Sequence, residues 1–430
     1  MSIINKYIYK FGIYFRNKKI YANYKFLKES EAWSRDELQA YQLKKFKELL
    51  KFCYENSKYY KNLFDENNVS LSDIKSLDSL ISIPILKKTT LLNNIDDVQC
   101  NVLNEKMFYS ETSGSTGEPL VFYRNQDWDA WHNASVFRGY SWFGINPWDR
   151  NGYLWGFNYS LFRSFIVKIQ DALQNRFRMF NYNDDELYRF CNKLRSAKYL
   201  NGYSSMIYEL AKKINMESKF KGVINLKFVK GTSEKIFDTY QKESLEAFGS
   251  KIVSEYGAAE AGIIAFECPD GNMHVNMETC IVEEIDNQII VTNLVSKSFP
   301  IIRYELGDYI KLDVDTRCSC GLESHIIKEV TGRVGKNIFG FNGLYPSLTL
   351  YYVFKNIAIN DSVVLNYQVI QKEKGFLDVL IDRRLSDLEK AYIKREMIKY
   401  FKDDISYSLR ENANLISRKG KKKDFISEID

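Results

Sequence analysis

Between residues 185 and 295, short apolar runs alternate with stretches patterned at helical spacing, and this alternation limits the fold more than any other feature. The runs "LKFVKG", "KIVSEYG" and "QIIVTNLV" have the length of buried strands, whereas "DELYRFCNKLRSAKYL" and "IFDTYQKESLEAFG" repeat apolar residues three and four apart. Two periods taking turns predict an α/β fold, with strands ending where small-residue turns begin. At 430 residues and 45% hydrophobic, the chain can bury a large core and exceeds one usual domain. Its last part changes character. "VLNYQVIQKEKGFLDVLID" is patterned as a hairpin turning at Glu373 to Gly375, and "LSDLEKAYIKREMIKYFKDDI" as one charged helix with an apolar face. A small α+β domain is therefore expected after a break near Gly332 to Gly343.

Upstream, "DELQAYQLKKFKELLKFCYENSKYYKNLF" reads as a long amphipathic helix followed by a shorter one. The first segment, "INKYIYKFGIYFRNKKIYANYKFL", carries Lys6, Lys10, Arg16, Lys18, Lys19 and Lys25 with no acidic residue, and spaces Ile4, Ile8, Phe11 and Phe15 along one helical stripe. Docking on its own protein is the favoured reading; peripheral contact with an anionic membrane is the alternative. Lys10 and Arg16 interrupt the apolar residues, so neither a signal-peptide core nor a membrane span is present, and a cytoplasmic location is expected. The net charge of +6, from 61 basic and 55 acidic residues spread along the chain, argues against a dedicated nucleic-acid partner. Oligomeric state is not legible.

Of seven cysteines, Cys53, Cys100 and Cys191 stand alone in apolar or helical settings, as buried hydrophobes do. "RCSCGL" holds Cys318 and Cys320, and "ECPDGNMH" supplies Cys268 and His274, in a chain with only three histidines. If the two turns meet, they offer three thiolates and an imidazole, a tetrahedral set suited to structural zinc. A pair of reduced turn cysteines is the alternative, and Cys280 or His325 are alternative ligands.

"YSETSGSTGEPLVFY" sets Thr112, Ser113, Gly114, Ser115, Thr116 and Gly117 in a row whose backbone N–H groups and hydroxyls suit an anion. A kinase-type phosphate loop would need Lys after the last glycine, but Glu118 and Pro119 follow Gly117. Three other stretches accompany it. "SEYGAAEAG" puts Tyr256 and Glu260 around a turn at a strand end, where α/β sheets expose ligand-binding groups. "IIRYELGDY" offers Asp308 after a tight Gly turn, and "VTGRVGKNI" brings Arg333 beside two glycines. Taken singly, each could be an ordinary turn or salt-bridge residue.

In this order the segments resemble the adenylate-forming superfamily of acyl- and aryl-CoA ligases, and most closely its phenylacetate-CoA ligase-like branch, which includes the capsular polysaccharide CapK proteins. The most specific piece is "ETSGSTGEP" combined with "YGAAE" and "RYELGD", and the cysteine segments resemble that branch's cysteine-rich insert. The resemblance implies a large multi-layer adenylation domain over residues 1–334, with a zinc-binding insert around 268–320, and a small mobile α+β lid domain over 335–430.

It also implies roles. The loop from Thr112 to Gly117 would wrap the β- and γ-phosphates of ATP, with Thr116 among the catalytic groups. Ser233 and Glu234 would line the adenine pocket, Tyr256 would stack on the base, and Glu260 would hold Mg²⁺. Asp308 would accept from the ribose hydroxyls, and Arg333 would lie near that sugar or the α-phosphate. Trp155, Phe157, Tyr159 and Tyr203 fall where the branch lines its acyl pocket, although a bare aromatic cluster reads equally as core. In "ISRKGKKKDF", Lys421 matches the branch's catalytic lysine, with Lys419, Lys422 and Lys423 as neighbours that could take the part or form a solvated basic loop.

Two positions depart from the pattern: Ala259 replaces the hydroxyl residue before the acid, and Gly335 replaces the acidic hinge residue. The expected activity is an ATP-dependent ligase that turns a carboxylic acid into an acyl-adenylate and passes it to coenzyme A or to an amine, in surface polysaccharide biosynthesis. An amide-forming ligase and a nucleotide-binding scaffold with a decayed site are the alternatives.

Overall fold

The computed structural model describes residues 2–429 except 101, 103–104, 113–119, 155–160, 180–183, 334–336, 346, 362, 364, 416, 419–420 and 423. It divides into two compact units, Met1–Ser233 with Glu243–Val330, and Glu234–Lys242 with Thr331–Asp430.

The first unit opens with helices α1 (Ser2–Asn17), α2 (Lys19–Glu29), α3 (Arg35–Asn56) and α4 (Lys58–Glu66). Ser34 starts α3 through a reciprocal cap: its hydroxyl accepts from the Glu37 N–H, and the Glu37 carboxylate accepts from the Ser34 N–H at 2.8 Å. The buried stripe Leu38, Gln42, Phe46, Leu49 and Cys53 follows the helical period of the sequence. Helix α1 meets the favoured reading on one edge only. Ile13 is buried beside Phe137, but Ile4, Phe11 and Phe15 keep 66%, 67% and 71% of their surface exposed.

Two short helices, α5 (Lys88–Asn93) and α6 (Ile95–Val98), lead into an antiparallel hairpin of β1 (Met107–Glu111) and β2 (Val121–Asn125), then α7 (Gln126–Trp142). Phe122 on β2 stacks between Trp128 and Phe299, with ring centroids 5.8 Å and 4.7 Å away. Arg138 on α7 grips the buried Glu278 with two hydrogen bonds of 2.6 and 3.2 Å, and the Ser30 hydroxyl reaches the same carboxylate at 2.5 Å. The pair ties α7 to the segment before β10.

The main sheet contains β3 (Asn151–Leu154), β4 (Arg176–Arg178), β5 (Tyr199–Tyr203), β6 (Phe228–Thr232), β7 (Ile252–Ala258), β8 (Gly262–Glu267), β9 (Met273–Val275), β10 (Cys280–Ile285), β11 (Gln288–Asn293), β12 (Tyr304–Asp313) and β13 (Ile326–Arg333). Its eleven strands lie in the order β10-β11-β12-β13-β9-β8-β7-β6-β5-β3-β4. Strands β4, β3, β5, β6 and β7 are parallel, and helices α8 (Leu161–Leu173), α9 (Asp184–Leu194), α10 (Ser204–Met216) and α11 (Asp238–Phe248) intervene in sequence between them. All five residues of β5 are buried, as expected of a parallel strand covered on both faces. The predicted helix "DELYRFCNKLRSAKYL" stops earlier than its pattern: Tyr199 and Leu200 already belong to β5, because a central strand claims their apolar side chains. From β7 onward the described pairings are antiparallel.

The second unit has the hairpin β14 (Ile338–Phe339) and β15 (Leu344–Tyr345), helix α12 (Leu348–Asp361), strands β16 (Tyr367–Glu373) and β17 (Phe376–Ile381), helix α13 (Asp387–Phe401), then β18 (Ser406–Arg410), β19 (Ser417–Arg418), β20 (Lys421–Lys422) and β21 (Phe425–Ser427). Its four-stranded sheet runs β18-β17-β16-β21. Glu373 pairs with Phe376 across the predicted turn, where Gly375 takes φ +77°, a conformation a side chain would strain. Val353, Ile357, Val369, Val379 and Ile393 close the core between sheet and helices. Among the described residues, no helix is long and apolar enough to cross a membrane.

Candidate functional site

The parallel half of the sheet sets the place. Strand β3 has β4, its successor in sequence, on one side and β5 on the other, so the connections diverge between β3 and β5. In an open α/β sheet a ligand crevice forms at such a switch point, beyond the carboxyl ends of the strands. Register brings those ends together: Leu154 pairs with Gly202, Tyr203 with Thr232, and Thr232 with Glu255. Tyr203 is the last residue of β5 and is buried; Trp155, Phe157 and Tyr159 follow β3 but lie outside the described residues. Ser233 follows β6, exposed, at φ +66°, an uncommon conformation for a residue with a side chain. Glu234 begins the segment that groups with the second unit.

Beyond β7 the chain reverses at once into β8. Gly257 pairs with Ile263 and Ala258 with Gly262, so "YGAAEAG" is a hairpin whose tip carries Ala259 and Glu260. The fit is close: a Cβ on Gly257 would stand 2.3 Å from the Gly262 carbonyl oxygen, and Gly262 itself takes φ +79°. Glu260 is 4% exposed, with the buried Tyr304 hydroxyl 3.5 Å from its Oε1.

Asp308 enters from β12. The sequence suggested a tight Gly turn before it; instead, Gly307 takes φ +83° inside a strand that continues from Tyr304 to Asp313, with a register irregularity opposite Gln288 to Ile290. The irregularity lets β12 bend, as bulged strands do. The Tyr256 hydroxyl donates to Asp308 Oδ2 at 2.7 Å, although 52 residues separate them. Tyr256, Glu260, Tyr304 and Asp308 thus form one neighbourhood at the end of β7.

Thr112 closes the base of the Ser/Thr/Gly loop. Its N–H donates to the Leu120 carbonyl at 3.0 Å and its Oγ1 accepts from the Leu120 N–H at 2.9 Å, extending the β1–β2 pairing by one step. Ser113, Gly114, Ser115, Thr116 and Gly117 fall in residues 113–119, outside the described residues. Arg333 ends β13 and Lys421 begins β20, opposite Arg418; their side chains lie outside the description too.

A second cluster forms at the other side of the antiparallel strands. Cys268 directly follows β8, His274 sits on β9, and Cys318 and Cys320 lie in the connection from β12 to β13. Glu267 pairs with Met273, and His274 with Ile326 at the start of β13, so the two cysteine turns are neighbours by register. Each turn is closed by a glycine: Gly271 donates to the Cys268 carbonyl and Gly321 to the Cys318 carbonyl, at 2.9 and 3.1 Å. The three sulfurs and an imidazole nitrogen all lie within 4.8 Å of one another. Cys280 is elsewhere, its thiol facing backbone carbonyls, and the His325 side chain is outside the cluster.

The spacing fits zinc. A tetrahedron with ~2.3 Å zinc–sulfur bonds has sulfur–sulfur edges of about 3.8 Å, and the Cys268 and Cys318 sulfurs are 3.8 Å apart. Cys320 Sγ is 3.3 Å from His274 Nε2, while His274 Nδ1 is 3.0 Å from the Ser324 hydroxyl, the outer contact that fixes a ligating imidazole. Burial lowers the His274 pKa to about 4, keeping the ring neutral as a ligand must be. Burial opposes the Cys318 thiolate, but hydrogen bonds from the Cys320 backbone and the Asn272 amide outweigh it and hold the thiol below its ordinary value. Four protein donors leave no open position, which is the arrangement of a structural rather than a catalytic centre.

No family model matches the chain. Among curated proteins, it is 24% identical to Protein CapK of Staphylococcus aureus over 314 residues, 68% of this chain and 67% of that one. It is 23% identical to a phenylacetate-coenzyme A ligase of Thermus thermophilus over 383 residues, covering 81% of this chain and 82% of the relative. Over a shorter stretch of 129 residues, 30% of this chain and 29% of the relative, it is 34% identical to the phenylacetate-coenzyme A ligase of Escherichia coli. Among solved structures, 2-hydroxyisobutyryl-CoA ligase in its postadenylation state, in complex with R3-HIB-AMP, superposes with TM-score 0.71 at 17% identity, covering 93% of this chain and 91% of that one. The fold is therefore shared with an acyl-CoA ligase.

Proposed function

We propose that the chain is an AMP-forming ligase of the adenylate-forming superfamily of acyl- and aryl-CoA ligases, in the branch of phenylacetate-CoA ligases and CapK proteins, on its similarity to Protein CapK and a phenylacetate-coenzyme A ligase and on the fold it shares with an acyl-CoA ligase. It activates a carboxylic acid with ATP, releasing pyrophosphate, and then hands the acyl group to coenzyme A or to an amine. The observation that carries this reading is the meeting of Tyr256, Glu260 and Asp308 at the carboxyl end of β7.

The carboxylate oxygen of the acid attacks the α-phosphorus, and the bond to the pyrophosphate oxygen breaks. Two anions must approach, so the chain's task is to position them and offset charge. Asp308 accepts from the ribose hydroxyls while its other interaction, with the Tyr256 hydroxyl, fixes the carboxylate plane. The Tyr256 ring stacks on the adenine, beside Ser233 and Glu234. The loop from Thr112 to Gly117 supplies N–H and hydroxyl donors to the β- and γ-phosphates, its ends pinned by the Thr112–Leu120 pair. Glu260, a buried carboxylate, suits Mg²⁺, which when bound supplies positive charge to the triphosphate. Tyr203, with Trp155, Phe157 and Tyr159, borders the acyl group, and Arg333 lies near the sugar or the α-phosphate.

The second unit acts as a mobile lid that delivers Lys421 to the adenylyl group in transfer and later withdraws it. The three-Cys, one-His cluster holds zinc as a structural brace. A role in capsular or other surface polysaccharide assembly, with both steps in the cytoplasm, is part of this proposal and rests on the sequence resemblance to CapK proteins.

Pyrophosphate release over a panel of carboxylic acids tests the proposal, with Asp308→Ala and Lys421→Ala as controls; AMP formation that requires CoA, or instead an amine or amino sugar, then identifies the acceptor. A second reading, a nucleotide-binding scaffold, is favoured by Ala259, which leaves the β7–β8 tip without a hydroxyl. ATP binding with no acid-stimulated release would establish it and end the ligase proposal.

A further inference from the structure

Helix α1 leaves its apolar side uncovered. Ile4, Tyr7, Phe11, Tyr14 and Phe15 are each at least 62% exposed, and Ile8 is 41% exposed. The helix lies beside α8, where Phe165, Ile169 and Leu173, spaced four apart, are exposed by 62%, 47% and 54%. With roughly 150–250 Å² per aromatic side chain, Tyr7, Phe11, Tyr14 and Phe15 alone expose on the order of 500 Å², already at the level of the largest apolar patch on a typical monomer.

The charges that α1 itself carries have one sign. It holds Lys6, Lys10 and Arg16 and no acidic residue, Arg16 being paired with Asp129 of α7 at 3.0 Å, while Lys18 follows the helix directly and α8 adds Lys168. The one acid of α8, Asp171, is buried and engaged by Arg176 and Arg178. Lys6 and Lys10 pack their ammonium groups over the Trp148 ring at 5.7 and 5.6 Å, at the border between the apolar stripe and the body of the protein. Phenylalanine and isoleucine along the stripe, tyrosines among them and cations at the edge are the composition of a helix that lies in a lipid interface.

We propose that α1 and α8 form a docking face for an anionic membrane surface, with Phe11, Phe15 and Phe165 entering the acyl boundary and the lysines meeting lipid headgroups. A second copy of the chain fits this face less well. A two-fold contact is self-complementary, so it would set the acid-free, cationic α1 against itself. The inference does not rest on the adenylation reading, since it concerns a different surface.

Co-sedimentation of the full-length protein with phosphatidylcholine vesicles, with and without phosphatidylglycerol, tests it. The protein binds the anionic vesicles, binds them less as salt rises, and leaves the neutral ones largely in solution. Phe11→Ser with Phe15→Ser, and separately Phe165→Ser with Ile169→Ser, weaken binding at least about tenfold while circular dichroism and melting temperature stay as in the parent. No binding to anionic vesicles, equal binding to neutral ones, or full binding by both double variants overturns the proposal. So does self-association in light scattering that the same substitutions abolish when no vesicle binding is seen.

Discussion

The Tyr256 hydroxyl donates to Asp308 Oδ2 at 2.7 Å, joining the end of β7 to the bulged start of β12 across 52 residues of sequence. One hydrogen bond thereby orients the group assigned to ribose from the group assigned to adenine. Tyr256→Phe keeps the ring and removes the donor. A hydrogen bond to a charged group contributes ~1.5–3 kcal/mol, so KM for ATP should rise roughly 10- to 100-fold in pyrophosphate-release assays, with a smaller change in kcat. A Tyr256→Phe enzyme with unchanged kinetics would show that the pair has no part in nucleotide binding.

Gly257→Ala tests the hairpin that carries Glu260. Its new methyl would stand 2.3 Å from the Gly262 carbonyl, a backbone atom that cannot step aside without moving the β7–β8 tip. Overpacking of this kind costs about 1–3 kcal/mol, and displacement of Glu260 should cost activity beyond that. The expected outcome is a fold that persists in circular dichroism, a lower melting temperature, and kcat reduced at least about tenfold.

Metal analysis of the purified protein should find zinc, held by Cys268, His274, Cys318 and Cys320. Cys268→Ser should lose the metal and lower the melting temperature by several degrees, because metal binding free energy is folding free energy at such sites. Retention of full zinc in that variant would move the site elsewhere. Cys280→Ser, outside the cluster, should keep it.

His132 on α7 gives stability a pH dependence. Burial, then the nearby Arg124, lowers its pKa from 6.5 to about 4, so the folded protein holds it neutral. Between those values the unfolded chain binds more protons, so stability is complete above about pH 6.5 and falls as pH drops toward 4. For this largely buried group the loss should be about 1–3 kcal/mol. Urea midpoints of parent and His132→Gln, compared from pH 7.5 down, should converge as the medium becomes acidic; parallel curves would remove His132 from the account.

Much of the architecture was legible. "KIVSEYG" and "QIIVTNLV" are strands β7 and β11, "IFDTYQKESLEAFG" contains α11, and the turn at Glu373 to Gly375 stands where the pattern put it. Where the reading overran, as at Tyr199 and Leu200, a buried central strand overrode a local helical period. The hairpin framing the Ser/Thr/Gly loop was not foreseen, because β1 and β2 are joined across a nine-residue connection that hides their pairing. Nor did the glycine before Asp308 distinguish a turn from a bulge, since both need the same backbone freedom.

Residue order alone determined the alternation of strand and helix, the glycine-closed turns and the thiol spacing, because periodicity and turn chemistry act within a few residues of one another. Tertiary structure decided that Tyr256 meets Asp308, that two cysteine turns share one corner, and that α1 buries Ile13 yet presents Phe11 and Phe15 to its surroundings. Those outcomes depend on strand order and register across the sheet. They are set by the packing of segments far apart in the chain, which no local pattern specifies.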